Sequence, residues 1–276
     1  MIVIRPCEGF EELQACVDLQ IETWGYDASD VVPRRLFLVA QKIGGQVLGA
    51  FDTELQTAAT STQSQRGEAK SMVGFLLALP GVKSHEGNAT LYLHSHMLAV
   101  RKTHRNRDIG AQMKRQQRLD ALHRGIRHIE WTFDPLEIKN SFLNIHKLGA
   151  IVRRYEIDFY GVSSSRLQGG LPTDRLVAEW QLDSPRVEAA LTDQPEKKAV
   201  VEEEIQLPAA IYAWKSSTKE RAHALAVQQE NRHKFLRAFS QKLVVTGFRR
   251  DTAGNGTFEL SKFPYDLHSG DILHEN

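Results

Sequence analysis

The sequence predicts a mixed α/β protein, and two observations carry that prediction. Through the first 183 residues strand-like and helix-like apolar periods alternate, and the strand segments outnumber the helices, seven against few, so one mixed sheet is the economical way to bury them. Ile2 to Arg5 is a short strand. Phe10, Leu13, Val17, Ile21 and Trp24 then recur at helical spacing until Gly25 stops them. Leu36 to Ile43 and Gln46 to Thr53 flank Gly44-Gly45, which reads as a tight turn or a bulge in one long strand. Residues 54–70 are polar and turn-rich and predict a surface loop ahead of the strand Met72 to Leu79. Thr90 to Val100 is a further strand. Ile109 to His123 is helical, with Met113, Leu119 and Leu122 as its apolar face and Gly125 as its end. Arg127 to Phe133 is a strand, Pro135 to Lys147 a helix closed by Gly149, and Glu156 to Tyr160 and Leu176 to Leu182 are the last two strands.

Beyond Ser184 the texture changes, so residues 1–183 are expected to form the main domain and residues 184–276 a linker and extension packed on it. Thr192 to Glu204 is charged, either a linker or an exposed helix end. Ser217-x-x-Glu220 has capping-box form and opens a helix to about Ser240, anchored by Phe235, Leu236 and Phe239. Leu243 to Phe248 and Thr257 to Phe263 bracket Asp251-Thr-Ala-Gly-Asn-Gly256 as a hairpin. The core of this extension is small, so it is expected to dock on the main sheet rather than fold alone.

Composition removes several function classes. Among 276 residues, 35 Lys and Arg nearly cancel 34 Asp and Glu, so no global field attracts nucleic acid or an acidic membrane. Any anion site must be local. The start, MIVIRPCEGFEE, lacks signal-peptide patterning and the longest apolar run is short and broken by Pro80, which suits a cytoplasmic protein. Cys7 and Cys16 cannot make a disulfide framework and fit a reducing compartment.

One local exception to the even charge is Leu98 to Met113, LAVRKTHRNRDIGAQM. An apolar strand runs into a cluster of basic side chains, then Asp-Ile-Gly, then a helix. A helix N-terminus has about four unpaired N–H groups and roughly half a positive charge, so this junction suits phosphate oxygens, with Arg105 and Arg107 adding charge at the rim. An ordinary basic surface turn is the plain alternative.

Leu98-Ala-Val-x-x-x-x-Arg105-x-x-Asp-Ile-Gly110 resembles the acetyl-CoA-binding motif of the GNAT superfamily of N-acetyltransferases. The likeness runs on through the strand Arg127 to Phe133 and a helix ending Asn144-Ile-His-Lys-Leu-Gly149, and covers about residues 1–183. His94-Ser-His-Met-Leu, Trp131-Thr-Phe-Asp-Pro-Leu-Glu137 and Gly161-Val-Ser-Ser-Ser further resemble a less characterised group of that superfamily, which supplies no substrate. The resemblance implies a mostly antiparallel sheet with splayed central strands, flanked by helices. It also implies direct transfer of acetyl from acetyl-CoA to the primary amine of a small molecule or peptide. Backbone of Leu98, Ala99 and Val100 would contact pantetheine, and the N–H groups of Arg105, Asn106, Arg107, Asp108, Ile109, Gly110 and Ala111 would hold the pyrophosphate. Two departures stand out. Asp108 replaces the usual first glycine, where positive φ tolerates Asp but a carboxylate opposes phosphate unless it turns away or pairs with Arg105 or Arg107. Ile145 stands where many members carry the tyrosine that protonates the leaving thiolate.

An amine of pKa about 10.4 is neutral about once in 2,500 molecules at pH 7, equivalent to about 4.6 kcal/mol, so a base or a dry site is useful. Strand alternation puts Tyr92, His94 and His96 on one face and Glu130, Thr132 and Asp134 on one face of the next strand. His96, Asp134 and Glu130 are thus the candidate catalytic groups. The competing readings are a strand histidine bonded to a carbonyl and an Asp-Pro turn, with Glu137 in the helix's first turn. His94-x-His96 projects two imidazoles to one side but lacks a third ligand, so no metal is expected. Gly161 to Asp174 reads as a lid or as a plain connection, with Arg166 and Arg175 as candidates to recruit a substrate carboxylate or phosphate. A homodimer through the C-terminal hairpin edge is open. Two rival functions remain, an acyl-CoA-binding sensor without turnover, and nucleic-acid binding through Arg101 to Arg107. Near-zero net charge and the lack of interleaved aromatics count against the second.

Overall fold

The computed structural model describes residues 1–57, 69–85, 87–194 and 199–262, which fall into two compact units. Most of the polar loop expected over residues 54–70, the middle of the charged stretch at 195–198, and Phe263 lie outside the described residues.

The first unit comprises Met1–Val82, Leu91–Arg127 and Ser164–Arg166. Strands β1 (Ile2–Pro6), β2 (Gln46–Asp52), β3 (Met72–His85) and β4 (Asn88–Val100) follow in that order, the first three pairing antiparallel. Every residue of β2 is buried, which explains its unbroken apolar run. Helices α1 (Gly9–Trp24) and α2 (Arg34–Lys42), the short α3 (Thr53–Thr57) and α4 (Ile109–His123) complete the unit. Phe37, Phe75 and Trp24 meet edge-to-face in its core, with centroids 5.8 and 6.2 Å apart. Gly25 ends α1 in the left-handed region at φ 65°.

Arg34–Lys42 is the clearest correction to the sequence reading, since it is a helix and not the first half of a long strand. Alternation would have buried Leu36 with Leu38. Instead Phe37 and Ala40, three apart, are buried and Leu36 and Val39 face outward. Pro33, fixed in an extended conformation, opens the helix, and Gly44 at φ 90° turns the chain into β2.

Lys114 of α4 lies fully inside this unit. Its ammonium donates to Ser95 Oγ and Gln117 Oε1, both at 3.0 Å, and Gln117 bonds Gln46, whose amide reaches Asp120. Burial drives its pKa well below the ordinary lysine value. The unfolded chain therefore binds more protons between the folded pKa and about 10.4, so stability rises with pH through that window and the charging penalty is complete below it. Lys114→Met is expected to stabilise the chain by about 1–3 kcal/mol at pH 7 and to flatten the rise. Urea midpoints measured from pH 7 to 10 decide this, and a destabilised variant with an unchanged slope contradicts it.

The second unit comprises Lys83–Thr90, His128–Ser163 and Leu167–Asn276. Its strands are β5 (His128–Phe133), β6 (Ile151–Glu156), β7 (Arg175–Gln181), β8 (Glu203–Leu207), β9 (Leu243–Arg250) and β10 (Gly256–Lys262). They lie in the order β5-β7-β6-β9-β10-β8 with antiparallel pairing. Helices α5 (Ile138–Ser141), α6 (Pro185–Leu191), α7 (Ile211–Ser216) and α8 (Arg221–Ser240) join them, and α5 continues as a π-helical stretch, Phe142–Lys147. The expected hairpin is present, and Val245 pairs with Val152, so the extension continues the sheet from the β6 edge. The strand expected at Glu156 to Tyr160 lies earlier, at Ile151–Glu156. A bulge between Val152 and Arg154 interrupts the alternation that would have revealed it. Glu203–Leu207, whose first two residues end the expected charged stretch, is a strand that buries Ile205 and Leu207 while Glu204 and Gln206 face outward.

One buried cluster pins α8 to β6. Asp174, with no solvent exposure, accepts from Tyr155 Oη at 2.6 Å, from Arg232 Nε and Nη2 at 2.9 Å, and from the Asp158 amide at 3.1 Å.

Candidate functional site

Residues 98–111 belong wholly to the first unit, and their geometry begins with β3. Gly74 has no Cβ to strike the Ala99 carbonyl, which would lie 2.9 Å from it. The Arg101 amide then donates to Val73 at 2.7 Å, so the strand end is held where the loop leaves it. A 3-10 turn, Lys102–His104, follows. His104 is not a surface residue, as its place among basic neighbours suggests. Its side chain is 11% exposed, and Nε2 lies 3.2 Å from Oδ2 of the buried Asp52 at the end of β2. Thr103 Oγ1 sits 2.8 Å from its other ring nitrogen, and Arg101 lies 3.2 Å from Glu22 of α1. Three elements thus anchor the base of the loop.

The loop proper turns on two left-handed residues, Asn106 at φ 61° and Asp108 at φ 58°. Asn and Asp are the non-glycine residues that occupy this region most readily, which is how this chain does without the glycine. Asp108 is the N-cap of α4, its carbonyl accepting from Gln112 at 3.0 Å. As in every helix, the first N–H groups, here those of Ile109, Gly110 and Ala111, have no carbonyl within the helix to bond. The Asp108 carboxylate is 3.6 Å from Arg115, two turns into α4. Arg105 reaches back to the Val100 carbonyl at 3.0 Å. Backbone donors, a helix dipole and arginines at the rim fit a diphosphate.

His96 lies on the same strand, half-buried, with the His94 ring 6.1 Å away. Burial lowers its pKa, so the imidazole is neutral at pH 7. Among the described residues no three His, Cys, Asp or Glu side chains are gathered to hold a metal ion.

The other two catalytic candidates belong to the second unit, and both carry cations. Glu130 and Glu179 stand directly opposite on β5 and β7, an arrangement that two carboxylates tolerate only with compensation. Arg154 bridges them, 2.9 Å from Glu130 and 3.5 Å from Glu179; Lys83 and His128 also bind Glu130, and Arg153 binds Glu179. Burial alone would raise the Glu130 pKa, but His128, Arg154 and Lys83 outweigh it and hold the carboxyl far below the usual range. Asp134 accepts from the Leu136 amide at 2.8 Å, the expected Asp-Pro turn, and from Lys215 Nζ at 2.7 Å. Lys215, from α7 of the extension, also holds Glu137 at 2.8 Å. Burial lifts the Glu137 pKa despite Lys215. Ile145 is buried in the π-helical stretch, so that position offers no proton donor.

The two arginines assigned to substrate recruitment are counted with different units. Arg166 packs its side chain over Gly25, and its amide donates to Trp24 at 2.9 Å. Ser164, two residues earlier, bonds Asp30 through both its amide and its hydroxyl, at 2.8 and 2.7 Å, so 164–166 is a strapped segment. Arg175 donates to Gln168 at 3.2 Å and lies over the Tyr160 ring, 5.3 Å from its centroid. Spacing gave no sign of Lys215, Arg154 or the His104–Asp52 pair.

No protein-family profile matches the sequence, and no curated protein matches it. Solved structures do resemble the fold. The NAA60 structure from Arabidopsis thaliana, in complex with a bisubstrate analogue, is 12% identical with a TM-score of 0.48, covering 65% of this chain and 97% of its own. The ribosomal-protein-S18-alanine N-acetyltransferase of Escherichia coli is 11% identical with a TM-score of 0.45, covering 67% and 96%. The NatC complex bound to Gag peptide and CoA gives 14%, 0.45, 65% and 98%. Similarity of that degree fixes neither substrate nor residue roles. Among the described residues no helix is long and apolar enough to cross a membrane.

Proposed function

We propose that the chain is an acetyl-CoA-dependent N-acyltransferase that passes acetyl to a primary amine of a small molecule or peptide by direct attack in a ternary complex. The carrying observation is the 105–111 loop, whose left-handed Asp108 delivers the chain into α4 with the Ile109, Gly110 and Ala111 N–H groups leading. The GNAT-like motif falls on these same residues. In this reading Leu98, Ala99 and Val100 meet pantetheine through their backbone, and the N–H groups of Arg105, Asn106, Arg107 and Asp108 to Ala111 take the pyrophosphate. The amine nitrogen bonds the acetyl carbonyl carbon, the carbon–sulfur bond breaks, and the CoA thiolate leaves while the amine gives up a proton. His96, neutral at pH 7, is the favoured acceptor of that proton. Glu130 and Asp134 each already hold a cation, Arg154 and Lys215 respectively. Arg166 and Arg175 remain the candidates for an anionic group on the acceptor. Buried free thiols, Cys7 and Cys16, suit the cytoplasm.

Incubating the protein with acetyl-CoA and a panel of amines while following free thiol tests the proposal. Thiol release dependent on one amine class is expected. CoA binding without turnover across the panel would support a non-catalytic sensor instead. Failure to bind CoA at all ends both readings. Asp52→Ala, which leaves His104 without its carboxylate, is expected to raise KM for acetyl-CoA about tenfold with kcat changed less than about twofold, the signature of a loosened binding loop. Equal changes in both constants would contradict that role.

A further inference from the structure

The extension contains a cavity of about 680 Å³, formed by α8, β8 and the turn between β9 and β10. All of it lies in the second unit, and none of its lining belongs to residues 98–111 or to the Glu130 and Asp134 clusters. That volume is typical of small-molecule sites, which pair an apolar floor with a few placed polar groups. Leu207, Pro208 and Val227 give the apolar portion, and the 4%-exposed Asn231 is held in place by its bond to the Gln206 carbonyl at 3.1 Å.

The charges along the wall are unevenly used. Arg249 is committed, with Glu204 at 2.9 Å and Glu259 at 3.0 Å. The Asp251 carboxylate is spent inside the turn, accepting from the Asn255 amide and side chain, both at 2.8 Å, while Asn255 accepts from Ala209. Arg250 differs. Among the described residues no carboxylate pairs with it, and its guanidinium lies 4.1 Å above the Phe142 ring, which stacks on His146 at 4.5 Å. The Phe142 ring supports the guanidinium carbon, and a guanidinium's N–H groups bind carboxylate or phosphate bidentately. Lys234 of α8, which also lines the cavity, pairs among the described residues with Glu230 at 2.7 Å, an exposed contact one helical turn away of the weak kind. A bound anion can redirect it at little cost.

We propose that this cavity is a second ligand site, separate from the acyl-CoA loop, that binds a small molecule bearing a carboxylate or phosphate through Arg250 and Lys234. Each part has a purpose in that role. Arg250 supplies the fork, Lys234 a movable second charge, the Asp251–Asn255 turn a rigid rim, and Leu207 with Val227 a surface for the ligand's apolar body.

Calorimetric titration of the full chain at low ionic strength, with citrate and glutarate in one arm and inorganic phosphate and glucose 6-phosphate in the other, tests this. Saturable binding in at least one arm is expected, and the tighter arm identifies the headgroup. With the 105–111 loop saturated by excess CoA, Arg250→Gln should weaken that binding at least tenfold and Lys234→Gln about threefold. Should Arg250→Gln fail to fold by circular dichroism, Lys234→Gln and Arg250→Lys carry the comparison, the latter retaining charge without the fork and weakening binding. Absence of binding in both arms, or binding indifferent to Arg250 and Lys234, overturns the proposal.

Discussion

Asp174→Ala is expected to cost about 3–5 kcal/mol and to lower the urea midpoint more than any other single change in the second unit. The carboxylate has no solvent exposure and four donors, and its removal strands all of them. The Arg232 guanidinium, only 20% exposed, loses its partner where water cannot fully replace it. Arg232→Met is expected to be costly as well, because it leaves the fully buried Asp174 charge with the neutral donors of Tyr155 and the Asp158 amide. Asp174→Leu combined with Arg232→Met should recover much of the loss, since an apolar pair of similar volume carries no desolvation penalty. Burial and the Asp174 carboxylate also raise the Tyr155 pKa. Its folded value lies above the unfolded one of about 10, so that contribution is full below pH 10 and fades as pH climbs toward the folded pKa. Tyr155→Phe should lack this alkaline decline. An Asp174→Ala chain as stable as the wild type would show that the cluster is idle.

The parts of the fold legible in the sequence are those set by local chemistry. α1 was readable as a helix because Gly25 closes a helical period, although Phe10 and Ile21 of that period are exposed and Leu13, Cys16 and Leu19 are buried. The β9–β10 hairpin was readable because Asp251 to Gly256 is turn chemistry. α2 was not, since LFLVA is apolar in both periods and only burial of Phe37 and Ala40 decides between them. Ile151–Glu156 hid behind a bulge, and Glu203–Leu207 behind its glutamates. The candidate site divides the same way. Its loop at 98–111 spans fourteen consecutive residues, so the order of strand, turn and helix was readable there. Lys215 reaches Asp134 from 81 residues away, and Arg154 bridges Glu130 and Glu179 across three strands. No periodicity records such partners. The inward turn of the His104 ring to Asp52 leaves no trace in the sequence, because its neighbours are basic and exposed.

Asp108 carries the second large prediction, because backbone shape and charge pull in opposite directions there. Its φ of 58° favours Gly, Asn or Asp, and its carboxylate, 38% exposed and 3.6 Å from Arg115, opposes an incoming diphosphate. Asp108→Asn keeps the conformational preference and removes only the charge. Repulsion of a unit charge at about 4 Å in high dielectric is about 1 kcal/mol, so CoA should bind about fivefold more tightly. The gain should shrink with added salt, as screening between exposed charges requires. Asp108→Val removes the same charge but puts a β-branched residue in the left-handed region, at a strain of about 1–3 kcal/mol. If the chain relieves that strain by leaving the loop geometry, CoA affinity should fall about tenfold below wild type despite the lost carboxylate. Isothermal titration of CoA against the three chains at two salt concentrations separates the terms. Tighter binding by both variants would mean that charge alone governs the loop, and weaker binding by Asp108→Asn would mean that the carboxylate, through Arg115, holds the loop in its binding shape.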